Sequence, residues 1–87
     1  MASYRLFIKP SAVKELESIP RENRQRVAGR IHRLSADPRP TGAEKLSALE
    51  RYRIRQGDYR VVYAIDDRGK TVTVFKVGHR REVYREE

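Results

Sequence analysis

Guanidinium groups crowd two short stretches of this 87-residue chain. Arg53, Arg55 and Arg60 stand in the string Arg51–Ile65, and Gly78-His79-Arg80-Arg81-Glu82-Val83-Tyr84 follows near the end. A guanidinium fork clamps phosphate oxygens in pairs, where an ammonium acts as a point charge. An imidazole near its ordinary pKa of about 6.5 serves as acid or base, and a phenol ring can stack on a nucleobase. These are the parts needed to cleave RNA through its own 2′-hydroxyl. A base accepts the 2′ proton, cations stabilise the charge building on phosphorus, and an acid protonates the 5′ leaving oxygen. A basic tail of this kind can equally be a solvated end, so the neighbouring arginines matter.

Their placement depends on one turn. Gly57-Asp58 has the Gly-X form that closes two-residue hairpins. That turn sets Gln56 opposite Tyr59, Arg55 opposite Arg60, Ile54 opposite Val61 and Arg53 opposite Val62. Alternation then sends Tyr52, Ile54, Val61, Tyr63 and Ile65 to one side and Arg53, Arg55 and Arg60 to the other. Like charges directly opposite each other destabilise a hairpin. An all-positive face without acidic partners is a poor stabiliser and a good anion site; the alternative is that it is merely solvated. A three-residue turn would instead put Arg55 and Arg60 on opposite faces.

The elements that must carry this hairpin follow from periodicity. Tyr4–Lys9 alternates as a first strand, and Pro10 stops it and suits the first turn of a helix. Ala12, Val13, Leu16 and Ile19 fall at helical spacing in Ser11–Ile19. Pro20 breaks that helix and opens the next, in which Val27, Ile31 and Leu34 mark one face before Asp37-Pro38. Arg39–Glu50 reads as a loop with a weak turn near Leu46. Strands are expected at Tyr52–Gln56, Tyr59–Ile65 and Thr71–Val77, the last two joined by the polar turn Asp66–Gly69. The fold predicted is a single α+β domain over residues 1–87, order β-α-α-β-β-β, with a helical hairpin on one face of a small antiparallel sheet.

Composition narrows the partners. Lys and Arg number 20 against 12 acidic residues, a net charge of +8, which favours a polyanion or an acidic protein. There is no cysteine, and the two histidines, His32 and His79, lie far apart. Disulfides are excluded, and neither a metal site nor a cofactor is implied. No signal pattern opens the chain and no apolar run approaches the roughly 20 residues of a membrane span, so a cytoplasmic protein without membrane contact is expected. Arg26, Arg30 and Arg33 share a helical face that suits solvent, RNA or an acidic partner, and His32 is given no role. Tyr4, Tyr52 and Tyr63 are expected in the core with their hydroxyls toward water.

The strings "LSADPRP" at Leu34–Pro40, "KL" at Lys45-Leu46, "RYRIRQGDYRVVYAIDD" at Arg51–Asp67 and "KVGHRREVYRE" at Lys76–Glu86 resemble the RelE/ParE superfamily of bacterial toxins. Within it the chain is most similar to RelE-type mRNA interferases. The resemblance implies a microbial-ribonuclease-like fold and metal-independent cleavage of mRNA in the ribosomal A site, leaving a 2′,3′-cyclic phosphate. It also implies an antitoxin partner, acidic or bearing an acidic amphipathic segment. By position, Arg53 and Arg55 fall where RelE-type enzymes carry basic residues, and Arg60 on the family's phosphate-binding arginine. Arg80 matches a catalytic arginine and Tyr84 the tyrosine after it; His79 resembles an active-site histidine of some relatives. Arg81 and Lys45 join the expected RNA-binding set. The best-studied pattern has lysines at positions 53 and 55. Arginine stays protonated, so proton transfer shifts toward Tyr84 or His79. The chain ends three residues after Tyr84, so the long C-terminal helix of some members is expected to be missing or vestigial. A ParE-like gyrase poison without catalysis, or an inactive RNA-binding member, would share the fold.

Overall fold

Proline sets both helix starts. The computed structural model describes residues 3–46 and 51–79. Within it Pro10 occupies the first turn of α1 (Pro10–Glu17), and Pro20 is the extended N-cap of α2 (Arg21–Arg33). A missing N–H costs nothing where no helical partner exists, and the fixed φ prepares the turn that follows. Ala12 and Ile19 from the first helical segment join Val27, Ile31 and Leu34 from the second in one buried cluster. These are the positions the helical periodicity marked.

The helices cover one face of a five-stranded sheet in the order β1-β5-β4-β3-β2. Its strands are β1 (Arg5–Ile8), β2 (Glu44–Leu46), β3 (Arg51–Gln56), β4 (Tyr59–Asp66) and β5 (Thr71–His79). Two features depart from expectation. β1 pairs with β5 in parallel, so the sheet is mixed rather than antiparallel. The helical pair intervenes between β1 and the other strands, and a crossover of that length permits a parallel neighbour. The expected loop Arg39–Glu50 also contains β2, paired antiparallel with β3. This edge strand is three residues long and offers no apolar alternation; backbone pairing with β3 and the cross-strand ion pair of Glu44 with Arg53 hold it.

Ile54, Val61, Tyr63, Val72, Val74 and Val77 meet the helices in the core. Tyr63 is fully buried, stacks on Tyr52 with ring centroids 5.9 Å apart, and donates its hydroxyl to the Pro38 carbonyl at 2.7 Å. Burial pushes that phenol up to about 12. The Tyr52 hydroxyl accepts from Arg39 Nε at 3.3 Å, and the Tyr4 hydroxyl donates to Asp67 at 2.7 Å. All three phenols expected to reach water therefore have protein partners. Arg39 completes the set with a two-pronged grip on Asp67, at 3.2 and 2.9 Å. The loop after α2 is thereby tied to the β4–β5 turn.

Two predictions follow from these ties. Tyr63→Phe leaves the Pro38 carbonyl without its donor and should cost about 1–2 kcal/mol, seen as a fall in Tm of roughly 4–8 °C per kcal/mol. The second concerns Asp67, whose carboxyl is lowered to about 2, first by the Arg39 bonds and then by the Tyr4 hydroxyl. Because its folded pKa lies below the unfolded value of about 3.9, its contribution is complete above that value and is lost as pH falls through about 2. The Tm gap between parent and Asp67→Asn should be present at neutral pH and close between about pH 4 and pH 2; a gap that persists in strong acid would refute the assignment.

Candidate phosphate-binding site

The β3–β4 hairpin has the register that a two-residue turn requires: Arg55 faces Arg60, Ile54 faces Val61 and Arg53 faces Val62. Gly57 takes φ +61°, a left-handed value that glycine adopts without strain, whereas Asp58 does not have positive φ. Ile54, Val61 and Tyr63 go into the core, so Arg53, Arg55 and Arg60 share the face that the helices leave uncovered.

Arg60 is the unusual member. It is only 6% exposed, although it lies on the uncovered face. Its Nη1 donates to the carbonyls of Gly57 at 3.3 Å and Tyr59 at 3.2 Å, and its buried Nε has no hydrogen-bond partner. Among the described residues no carboxylate pairs with it. A buried cation without a counter-ion costs several kcal/mol, which an arriving anion would offset. Arg55, exposed beside it, makes a second fork available from the neighbouring strand.

Arg53 is differently placed. Its guanidinium pairs with Glu44, which stands opposite it on β2. The expectation of a face free of acidic partners is corrected here, because the strand supplying the carboxylate had read as loop. A bulge between Val62 and Tyr63 adds two further residues. Val62 pairs with Lys76 while Tyr63 pairs with Val74, so Phe75 is the extra residue and both it and Lys76 face the arginines. Lys76 pairs with Glu15 of α1 at 3.4 Å, and the same carboxylate accepts the Val77 N–H at 2.9 Å. Neither Lys76 nor Phe75 was singled out from sequence, since regular alternation would have divided them between the two faces.

Two expected site residues stand elsewhere. His79 faces Tyr59 at the end of β5, with its ring edge-on to the phenol at 5.9 Å. Tyr59 packs on the core, so the sheet separates His79 from Arg60. Lys45 pairs with Tyr52 and so also belongs to the helix side, at the sheet edge. Both placements follow from the alternation that puts Arg53 and Arg60 on the open side. Arg80, Arg81 and Tyr84 lie outside the described residues. The structure thus brings together Arg53, Arg55 and Arg60 from the expected set.

Known proteins share this architecture. A family model described as the ParE toxin of the type II toxin–antitoxin system parDE matches residues 6–84. The RelE chain in the archaeal RelE–RelB complex from Pyrococcus horikoshii OT3 is 30% identical, with a TM-score of 0.81 over 92% of this chain and 98% of that one. The isolated E. coli RelE toxin is 29% identical, with a TM-score of 0.78 over 97% and 94%. Toxin RelG of Mycobacterium tuberculosis is 48% identical over 31 residues, a stretch that spans 36% of either chain. With the fold and the matched length in agreement, the chain belongs to the ParE toxin family of type II toxin–antitoxin systems, within the RelE/ParE superfamily.

Proposed function

We propose that this toxin is an endoribonuclease that cleaves mRNA, in the ribosomal A site, by attack of a 2′-hydroxyl on the adjacent phosphodiester. The observation that carries this reading is Arg60: a buried guanidinium with no carboxylate partner among the described residues, on the open sheet face and beside Arg55. In the reaction the 2′-oxygen bonds to phosphorus and the bond to the 5′-oxygen breaks. The products are a 2′,3′-cyclic phosphate and a 5′-hydroxyl. Arg60 and Arg55 hold the non-bridging oxygens and stabilise the charge that grows on them in the transition state. Arg53, already engaged by Glu44, serves the neighbouring backbone.

His79 stands across the sheet from these arginines, so proton transfer is assigned to Tyr84, with Arg80 stabilising the developing charge and Arg81 as a further phosphate contact, on the strength of the sequence resemblance. The partner that restrains the toxin is a cognate antitoxin, by analogy with the RelE of P. horikoshii, which was solved with RelB. An acidic segment would suit the net charge of +8.

The second reading is a ParE-like gyrase poison with no chemistry of its own, kept because the matching family model is that of the ParE toxin. Mapping of mRNA cuts by primer extension after induction, run beside a gyrase cleavage assay, separates the two. Arg60→Met should lower cleavage by about a hundredfold or more, the size expected for a lost transition-state contact. The same variant should melt no lower than the parent, because it replaces an uncompensated buried charge with an apolar chain of similar length. Undiminished cutting by Arg60→Met, or gyrase-linked DNA breaks without mRNA cuts, would overturn the proposal.

A further inference from the structure

The uncovered face continues well beyond the arginines. Leu6 and Ile8 of β1 pack on the core, so alternation turns Arg5 and Phe7 to the open side. Phe7 pairs with Thr73, Thr73 with Ala64 and Ala64 with Arg51, giving one row across four strands. The bulge adds Phe75 to the same region. The Arg51 guanidinium lies 3.9 Å from the centroid of the Phe75 ring, and the Lys9 ammonium lies 4.6 Å from it. The Arg5 guanidinium is 6.0 Å from the Phe7 centroid. Among the described residues Phe7 is the large apolar side chain left exposed, at 50%.

A lone exposed phenylalanine needs no explanation. Two rings with three cations, on one open sheet face and in line with a phosphate site, form a different object. Bases stack on phenyl rings and on guanidinium planes, while the same cations track the backbone. The register places two acidic residues on this face among the described strands: Glu44, which is paired with Arg53 at the opposite edge, and Asp66, two residues past Ala64 on β4, which accepts the Gly69 N–H at 3.1 Å in the β4–β5 turn. From Arg60 to Ala64 is four residues of β4, about 13 Å at roughly 3.3 Å each. A nucleic-acid strand advances about 3.4 Å per stacked nucleotide and further when splayed, so this gap spans a few nucleotides.

We propose that the Phe7–Phe75 end of the sheet is a stacking platform for unpaired bases of the RNA strand whose phosphate Arg60 and Arg55 hold. The platform makes the protein favour strands that extend past the reacting phosphate over minimal ones. This rests on the ribonuclease reading and adds a second subsite to it. Stacking is tolerant of base identity, because every base has a π-face. The platform therefore lengthens the footprint and adds little sequence preference.

The test measures binding of fluorescein-labelled 2′-O-methyl RNA, in which the attacking hydroxyl is blocked, at about three and about eight nucleotides, lengths below and above the span to the platform. The parent should bind the longer strand more tightly. Phe7→Ala should lose about fivefold or more on the long strand and nothing on the short one. Phe7→Trp should keep the long-strand affinity and Phe7→Leu should not, because leucine is apolar but cannot stack. The side chain is half in water, so melting curves should overlay across the series. Equal affinity of the parent for both lengths, or a Phe7→Leu variant that binds like the parent, overturns the platform while leaving the Arg60 site intact. A Phe7→Ala variant that binds RNA normally but loses an acidic antitoxin peptide also overturns it, marking the patch as a protein contact. Failure of the parent to bind either length overturns the platform alone, because a nuclease that acts in the ribosomal A site need not hold free RNA; Arg60→Met binding both lengths as the parent does removes the platform together with the nuclease reading beneath it.

Discussion

A two-residue turn governs everything on the open face. With Gly57 at positive φ, β3 and β4 meet so that Arg55 and Arg60 are direct neighbours across the hairpin. One residue more in that turn would exchange the faces of β4 relative to β3. Val61 and Tyr63 would then leave the core, and Arg60 would be driven under the helices. The apolar face and the cationic face are thus two consequences of one register. The core stabilises the arrangement strongly enough to tolerate the repulsion on its other side.

The same logic explains what could be read from the sequence. The hairpin, its register and the helical faces were legible because each rests on local signals: a Gly-X turn, alternation, and prolines at helix starts. The features that escaped are non-local. β2 has no pattern of its own and exists because β3 offers an unpaired edge. Parallel pairing of β1 with β5 joins segments from the two ends of the chain. The bulge at Val62 and Tyr63 shifts the phase of β5 by one residue, which no alternation rule anticipates. That shift is what puts Phe75 and Lys76 side by side on the open face.

Those non-local features alter the site itself. Alternation put Arg53, Arg55 and Arg60 on one face without ranking them, and only the family resemblance set Arg60 apart. The structure distinguishes them by partner: Glu44 answers Arg53, solvent surrounds Arg55, and Arg60 is enclosed with backbone carbonyls alone. His79 and Lys45 were associated with the arginines by closeness in sequence and by resemblance, yet strand parity puts both on the helix side. For His79 the bulge decides the matter, because unbroken alternation from Val72 and Val74 would have put it on the open side.

Two kinds of cation now occupy the two ends of one sheet face. Near the turn, Arg55 and Arg60 have neither a ring contact nor a carboxylate partner among the described residues, and Arg60 is met there by backbone carbonyls. Toward β1, Arg5, Lys9 and Arg51 lie against phenyl rings. A cation resting on a ring face gains a modest attraction and is held in place, while its charge stays available to a backbone passing above. Held cations and rings suit a surface that must accept many bases, whereas enclosed and unanswered charge suits a single phosphate. The division follows from the fold, because the aromatic end is built from β1 and the bulged β5, and the arginine end from the hairpin tip.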